Sequence, residues 1–246
     1  MKPYFHRVME QTPTKFWINN PTRAEADLAL EHGALGCTNN PSYPQKMIDH
    51  PEEGAYASRL LDESIRETEN ETEAQIVFQQ KLVRPIAEKF MPLFRSSSCE
   101  HGYVSIQGDP IREHDPNDII HEALRNRKVG ENIACKVPTT AAGLKAMEVL
   151  FAENVAVNAT EIMGVQQAID LFELYEKVTR QANVRPKLFM SHIAGIYDAY
   201  LKKVVERDQI EISRDVLWQA GLAVARKVYL MMQERGYPGT FIGGGA

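Results

Sequence analysis

No window of the chain approaches the roughly 18 uninterrupted apolar residues that a membrane-spanning helix requires. The opening Met1-Lys2-Pro3-Tyr4-Phe5-His6-Arg7 has no apolar signal core either. A soluble, cytoplasmic protein without a membrane partner is therefore expected. Cysteine is scarce: Cys37, Cys99 and Cys135 are odd in number and lack metal-ligand spacing, so they read as reduced thiols, two of them packing residues within strands. His32, His50, His101, His114 and His121 show no ligand spacing, and no metal is expected. Gly-x-Gly-x-x-Gly and P-loop patterns are missing, which leaves a nucleotide cofactor without support, and no cofactor is expected. Excess positive charge is missing as well. A net charge of −5 offers no electrostatic footprint for nucleic acid. Fixed-period repeats and low-complexity tracts are absent.

What the sequence does have is an ordinary globular balance, 43% hydrophobic and 25% charged, over 246 residues. That length suits one large domain, and residues 1–246 are read as a single α/β domain. Short apolar runs alternate with helical periods, the rhythm of βα units around a parallel sheet. Strands are predicted near Lys15–Asn19, Ala34–Thr38, Tyr103–Gln107, Asn132–Val137, Val155–Thr160, Lys187–Ser191 and Thr240–Gly243. Helices are predicted near Arg23–His32, Tyr56–Arg66, Glu71–Phe94, Asn117–Arg127, Ala142–Glu153, Val165–Ala182 and Ser213–Arg235. Thr22 and Ser213 stand where helix caps belong. The Glu-rich stretch Asp62–Glu73 runs into the amphipathic Ile76, Val77, Leu82, Val83, Ile86 and Phe90, so it reads as a solvated helix face rather than an acidic tail. Trp17 and Trp218 are expected as core or interface aromatics. The long C-terminal helix covers its own domain or packs on a second copy, which leaves a homo-oligomer open. An eight-stranded barrel needs one more βα unit after residue 246, so an incomplete copy of a longer polypeptide is expected.

The residues that end the strands are polar as a set: Asn19 and Asn20, Thr38 to Ser42, Ser105 to Asp109, Lys136, Asn158 to Glu161, and Ser191-His192. In a parallel barrel the C-terminal strand ends converge on one mouth, where catalytic groups gather. Taken singly, each Asn or Thr is more often a turn or cap residue. Lys136 lies in the apolar run Asn132-Ile133-Ala134-Cys135-Lys136-Val137-Pro138-Thr139-Thr140. An ammonium aimed into a barrel interior is desolvated, which favours the neutral amine that attacks carbonyls, whereas a strand-end lysine reaching solvent is inert. Uncharged hydroxyls and amides around such an amine suit an imine intermediate, because they hold a sugar and pass protons through water.

Three stretches, in order, resemble the transaldolase family, which includes the fructose-6-phosphate aldolase branch. They are Gly36-Cys37-Thr38-Asn39-Asn40-Pro41-Ser42; Asn132 to Thr140 followed by Gly143-Leu144; and Val157-Asn158-Ala159-Thr160 with Gln167-Ala168. The resemblance implies a (β/α)8 TIM barrel, here truncated after the seventh strand, and a metal-free class I aldol mechanism on a sugar or sugar phosphate. Lys136 matches the Schiff-base lysine of that family. Asn40 and Asn158 match positions that bind donor hydroxyls, Thr160 matches the threonine that orients the catalytic water, and Ser191 matches a polar residue ending the sixth strand.

Three positions depart from the family pattern. Asn19 stands where an aspartate exchanges protons, Gln107 where a glutamate is expected, and Ile196 where an arginine grips phosphate. An amide cannot transfer a proton, so Asp109, Glu161, His192 and Tyr197 become the titratable candidates. Gln107 also occurs in the aldolase branch. Losing the arginine removes the strongest bidentate phosphate contact, although the glycines from Gly243 to Gly245 offer backbone N–H groups to an anion. The expected activity is transfer or release of a three-carbon ketol unit from a ketose through an imine on Lys136. The alternative is a catalytically impaired relative that acts as a sugar-binding or regulatory module.

Overall fold

A computed structural model describes residues 2–244; Met1, Gly245 and Ala246 lie outside the described residues, and with them the last position of the glycine run. Seven strands are present at the predicted places: β1 Phe16–Asn19, β2 Ala34–Asn39, β3 Tyr103–Gln107, β4 Ile133–Pro138, β5 Val157–Ile162, β6 Leu188–Ile193 and β7 Thr240–Gly244. They follow chain order across the sheet, and the pairs β1–β2, β2–β3, β5–β6 and β6–β7 are parallel. With helices between the strands, this is the βα succession that the alternating sequence pattern predicts. The chain forms two compact units, one running through Glu113 and including His121–Cys135, the other holding His114–Ile120 and everything from Lys136 onward. Among the described residues no helix is long and apolar enough to cross a membrane.

The first unit contains α1 Tyr4–Gln11, α2 Arg23–Glu31, α3 Tyr43–Asp49, α4 Gly54–Glu67 and α5 Glu71–Ser96, as well as the later part of α6 Pro116–Asn126. Thr22 caps α2 as predicted, in a reciprocal box: Glu25 N–H donates to its hydroxyl at 3.1 Å, and Thr22 N–H donates to the Glu25 carboxylate at 2.7 Å. The acid-rich stretch is divided between the end of α4 and the first turn of α5, with residues 68–70 outside both helices; the apolar stripe of α5 includes the fully buried Val83, Ile86 and Phe90. Pro85 and Pro92 interrupt the α5 hydrogen-bond ladder without ending the helix. An interior proline costs about 3 kcal/mol, and each fully buried large apolar side chain contributes about 1.5–3 kcal/mol, so packing decides. On β2, Gly36 is required by the indole of Trp17, which would lie 2.5 Å from any added Cβ.

In the second unit lie α7 Ala141–Ala152, α8 Val165–Ala182, α9 Ala194–Arg207, α10 Arg214–Trp218 and α11 Ala220–Arg235. Its core is the set of fully buried Met147, Leu150 and Phe151 of α7 and Leu171 and Phe172 of α8, with Phe189 and Met190 of β6. The expected single helix over Ser213–Arg235 is instead two. Asp198 of α9 accepts the Gly221 N–H at 2.7 Å, the group that a continuous helix would have bonded to the Leu217 carbonyl. Ser213 does cap α10, accepting from Val216 N–H at 3.3 Å. Trp218 is no core residue, with 78% of its surface exposed. Helices α1, α3 and α9 were not expected from the sequence pattern.

Candidate active site

Within the first unit, the ends of β1, β2 and β3 carry the predicted polar groups. Asn19 is exposed, and its amide oxygen accepts from the Thr38 hydroxyl at 2.8 Å, across the register that pairs the two residues. Asn20 adopts a left-handed conformation (φ 49°), which turns the chain away from β1 and buries its amide. Its Nδ2 donates to Asn40 Oδ1 at 2.9 Å, and its Oδ1 accepts from Asn40 N–H at 3.0 Å. Ser42 adds two bonds to the same Asn40 oxygen, from its hydroxyl at 2.7 Å and its N–H at 3.0 Å. Three donors on Oδ1 fix the Asn40 amide, so the group it presents outward is the Nδ2 donor. The Asn20 carbonyl in turn receives the Lys46 ammonium at 2.7 Å.

Gln107 ends β3 with a buried side chain, its Nε2 donating to Glu113 Oε1 at 3.1 Å. Beyond it the chain is pinned by Glu122 of α6, whose two carboxylate oxygens accept the Asp109 N–H at 3.1 and 3.0 Å. Burial pushes the Glu122 carboxyl above its ordinary pKa, as does the Asp109 carboxylate, against the opposing pull of the Asp109 N–H, Arg112 and Arg125. Asp109, one of the proton-transfer candidates, is itself buried and accepts from the Ile111 N–H at 2.9 Å.

Just ahead of β4, Asn132 is fully buried and donates to the carbonyls of Ala87 at 2.9 Å and Gly102 at 2.8 Å. This asparagine therefore serves as an anchor rather than a ligand-facing group. Cys135 lies on the helix-facing side of the strand, with its thiol against the Ala123 carbonyl of α6. Strand alternation then puts Lys136 on the opposite face, where it is half-buried between the fully buried Cys135 and Val137.

In the second unit, Thr139 N–H donates to the Thr160 carbonyl at 2.9 Å. For parallel strands that bond sets Pro138 level with Thr160 and Lys136 level with Asn158. Asn158 and Thr160 share one face of β5, and both are buried. The Ser191 hydroxyl of β6 donates to Asn158 Oδ1 at 2.8 Å, which fixes the amide and turns its Nδ2 to the remaining side. Lys136, Asn158, Thr160 and Ser191 are thus brought together as an amine among an amide and two hydroxyls. Glu161, the next residue, is left-handed (φ 59°) and sits where the β5–β6 register shifts. His192 points to the other side of β6, fully buried with neither ring nitrogen hydrogen-bonded and its ring stacked on Phe241 at 6.3 Å. Burial lowers its pKa, opposed by Asp198. Tyr197 and the exposed Ile196 belong to α9, and the Ile196 side chain supplies no charge there.

The sequence pattern alone did not reveal how these strand ends are held. Gln167 of α8 accepts from the N–H groups of Met163 and Gly164, each at 3.0 Å, and donates to the carbonyls of Thr139 at 3.0 Å and Glu161 at 3.3 Å. One side chain therefore staples the ends of β4 and β5 to a helix start. Thr140 caps α7 by accepting the Gly143 N–H at 3.1 Å, and a Cβ on Gly143 would lie 1.8 Å from the Pro138 carbonyl oxygen. No cluster of metal-ligating side chains exists among the described residues.

Residues 16–244 match the family model of transaldolase/fructose-6-phosphate aldolase. A transaldolase of Mycobacterium tuberculosis (strain ATCC 25618 / H37Rv) is 28% identical over 212 residues, covering 81% of this chain and 55% of that protein. One from Thiobacillus denitrificans is 26% identical over 232 residues, covering 87% and 62%. Transaldolase 2 of a Nostoc species is 29% identical over 202 residues, covering 76% and 50%. The chain spans between about half and three fifths of the length of these relatives.

Proposed function

The chain belongs to the transaldolase/fructose-6-phosphate aldolase family, and on that premise we propose that it forms a Schiff base between Lys136 and a ketose, then moves or releases a three-carbon ketol unit. Lys136 level with the Ser191-fixed amide of Asn158 is the observation that carries this reading. The neutral amine attacks the ketose carbonyl, and the carbinolamine loses water to give the imine. Loss of the proton from the β-hydroxyl breaks the bond between the α and β carbons of the imine, which releases an aldehyde and leaves a three-carbon enamine on Lys136. The enamine then attacks an acceptor aldehyde, or is protonated and hydrolysed.

Thr160 is assigned the water that takes part in these proton transfers, and Asn158 the hydroxyl next to the imine carbon. Asn40, whose Nδ2 faces outward, and Gln107 are assigned donor hydroxyls, and Asn19 a non-ionisable role. The proton released on cleavage therefore passes to water or to a carboxylate rather than to Asn19. With Ile196 in place of a guanidinium, the preferred donor is one whose far end is uncharged or is bound by other groups.

Borohydride reduction in the presence of a panel of phosphorylated and unphosphorylated ketoses, followed by peptide mapping, tests the assignment. An irreversible adduct is expected on Lys136 and none on Lys136→Ala. Full turnover by Lys136→Ala, or no adduct with any ketose, would overturn it.

A further inference from the structure

Between β3 and α6 the chain makes an excursion that returns a carboxylate to the strand it has just left. Gln107 closes β3 with only 4% of its surface exposed. Its carbonyl is tied to α5 by Gln79 Nε2 at 3.2 Å, so the backbone at the strand end is held. Six residues later, Glu113 places Oε1 3.1 Å from Gln107 Nε2. The return is built, because Asp109 is held on both oxygens of the buried Glu122 and Ile111 is held on Asp109 Oδ1 at 2.9 Å. Gly108 leaves room for this: a Cβ there would come within 2.9 Å of the Glu122 carboxylate.

A glutamine amide can turn over and present either a donor or an acceptor. A carboxylate only accepts, so Glu113 selects one of the two orientations: nitrogen toward Glu113, oxygen toward the other side. The negative charge also polarises the amide and makes its oxygen a stronger acceptor. We propose that Glu113 is a positioning residue for the reaction, fixing Gln107 as a hydrogen-bond acceptor for a hydroxyl or water that gives up its proton. The inference rests on the Schiff-base reading and adds to it a selectivity. Gln107 then binds groups that donate.

Glu113→Ala and Glu113→Gln, assayed against wild type for steady-state turnover between pH 5 and 9, for melting temperature and for the borohydride adduct on Lys136, test this. Glu113→Ala is expected to lower kcat by about tenfold, the scale of one transition-state hydrogen bond, with a smaller change in KM. It should retain the adduct and melt within a few degrees of wild type. Glu113→Gln keeps the contact without the charge, so its kcat should fall less than that of Glu113→Ala. Unchanged kcat in both variants would overturn the inference, as would a loss of kcat that follows melting temperature alone. Wild-type protein that turns over ketoses without any adduct would remove the Schiff-base reading itself, a failure visible before either variant is made.

Discussion

The two units of the chain treat their helices differently. In the first, α5 buries ten of its 26 residues and carries the unit's core in spite of two internal prolines. In the second, α7 and α8 each bury five residues, but α9 and α10 contain no buried residue, as in the first unit is true of the terminal α1 alone among α1–α5. Tyr200, Val216, Trp218 and Leu222 are all more than half exposed. Buried side-chain polar atoms without a hydrogen-bond partner occur in both: the amide oxygens of Asn39 and Asn132 in the first unit, and the Thr139 hydroxyl and both nitrogens of His192 in the second. Since burial supplies most of the favourable free energy of folding, local stability should fall along the chain after β6.

The sharpest way to break this comparison is a pair of truncations. Phe90→Ala should destabilise the first unit by about 3–5 kcal/mol in denaturant titration, since the ring is fully buried. Trp218→Ala removes a still larger side chain that is 78% exposed, and should change stability by no more than about 0.5 kcal/mol. A loss of several kcal/mol at Trp218 would mean that α10 is covered in solution. Hydrogen exchange gives a smaller but more finely resolved contrast. Amides of α9 and α10 should exchange at least about a hundredfold faster than those of central α5, corresponding to about 2.8 kcal/mol of local opening free energy. Equal protection would show that the exposed apolar residues are not a measure of weakness.

The seven strands were legible because each is a short apolar run between turn residues, and side-chain packing confirms rather than alters that pattern. Helices were legible where a cap preceded a long period, as at Thr22. They were missed where the signals conflict: α3 follows Asn40-Pro41-Ser42 and contains Pro44, and α9 opens on Ala194-Gly195. The break after Trp218 could not be read locally, because its cause is a bond from Gly221 to Asp198, 23 residues earlier. The candidate site divides in the same way. Lys136, Asn158, Thr160 and Ser191 stand out as polar residues ending apolar strands. Their supports are less legible: Gln167 belongs to a recognisable stretch but its bond to Thr139 is not readable from it, and Glu113 at Gln107 resembles an ordinary surface residue until the chain is folded. The left-handed backbone at Glu161 had no glycine to announce it.

Glu122 and His192, two buried titratable groups, one in each unit, predict opposite responses to pH. Burial raises the pKa of Glu122, so the folded state holds this proton more tightly than the unfolded chain does. Stability is then greatest below the unfolded value of about 4.3 and is lost as pH rises from there through the folded pKa. Burial lowers the pKa of His192, so the folded state excludes a proton that the unfolded chain binds. Its contribution is fully present above about 6.5 and is lost as pH falls below that value toward the folded pKa. Melting temperatures of wild type, Glu122→Gln and His192→Phe across pH 4 to 8 separate the two. Glu122→Gln should remove a decline on the rising side, with Gln Oε1 still able to accept the Asp109 N–H. His192→Phe keeps an aromatic ring against Phe241 and removes two buried nitrogens without partners, so it should remove the acid-side loss and leave neutral-pH stability equal or higher. A His192→Phe protein less stable than wild type at pH 8 would mean that the imidazole has a hydrogen-bond partner in solution, and the cost assigned to its two buried nitrogens would fail.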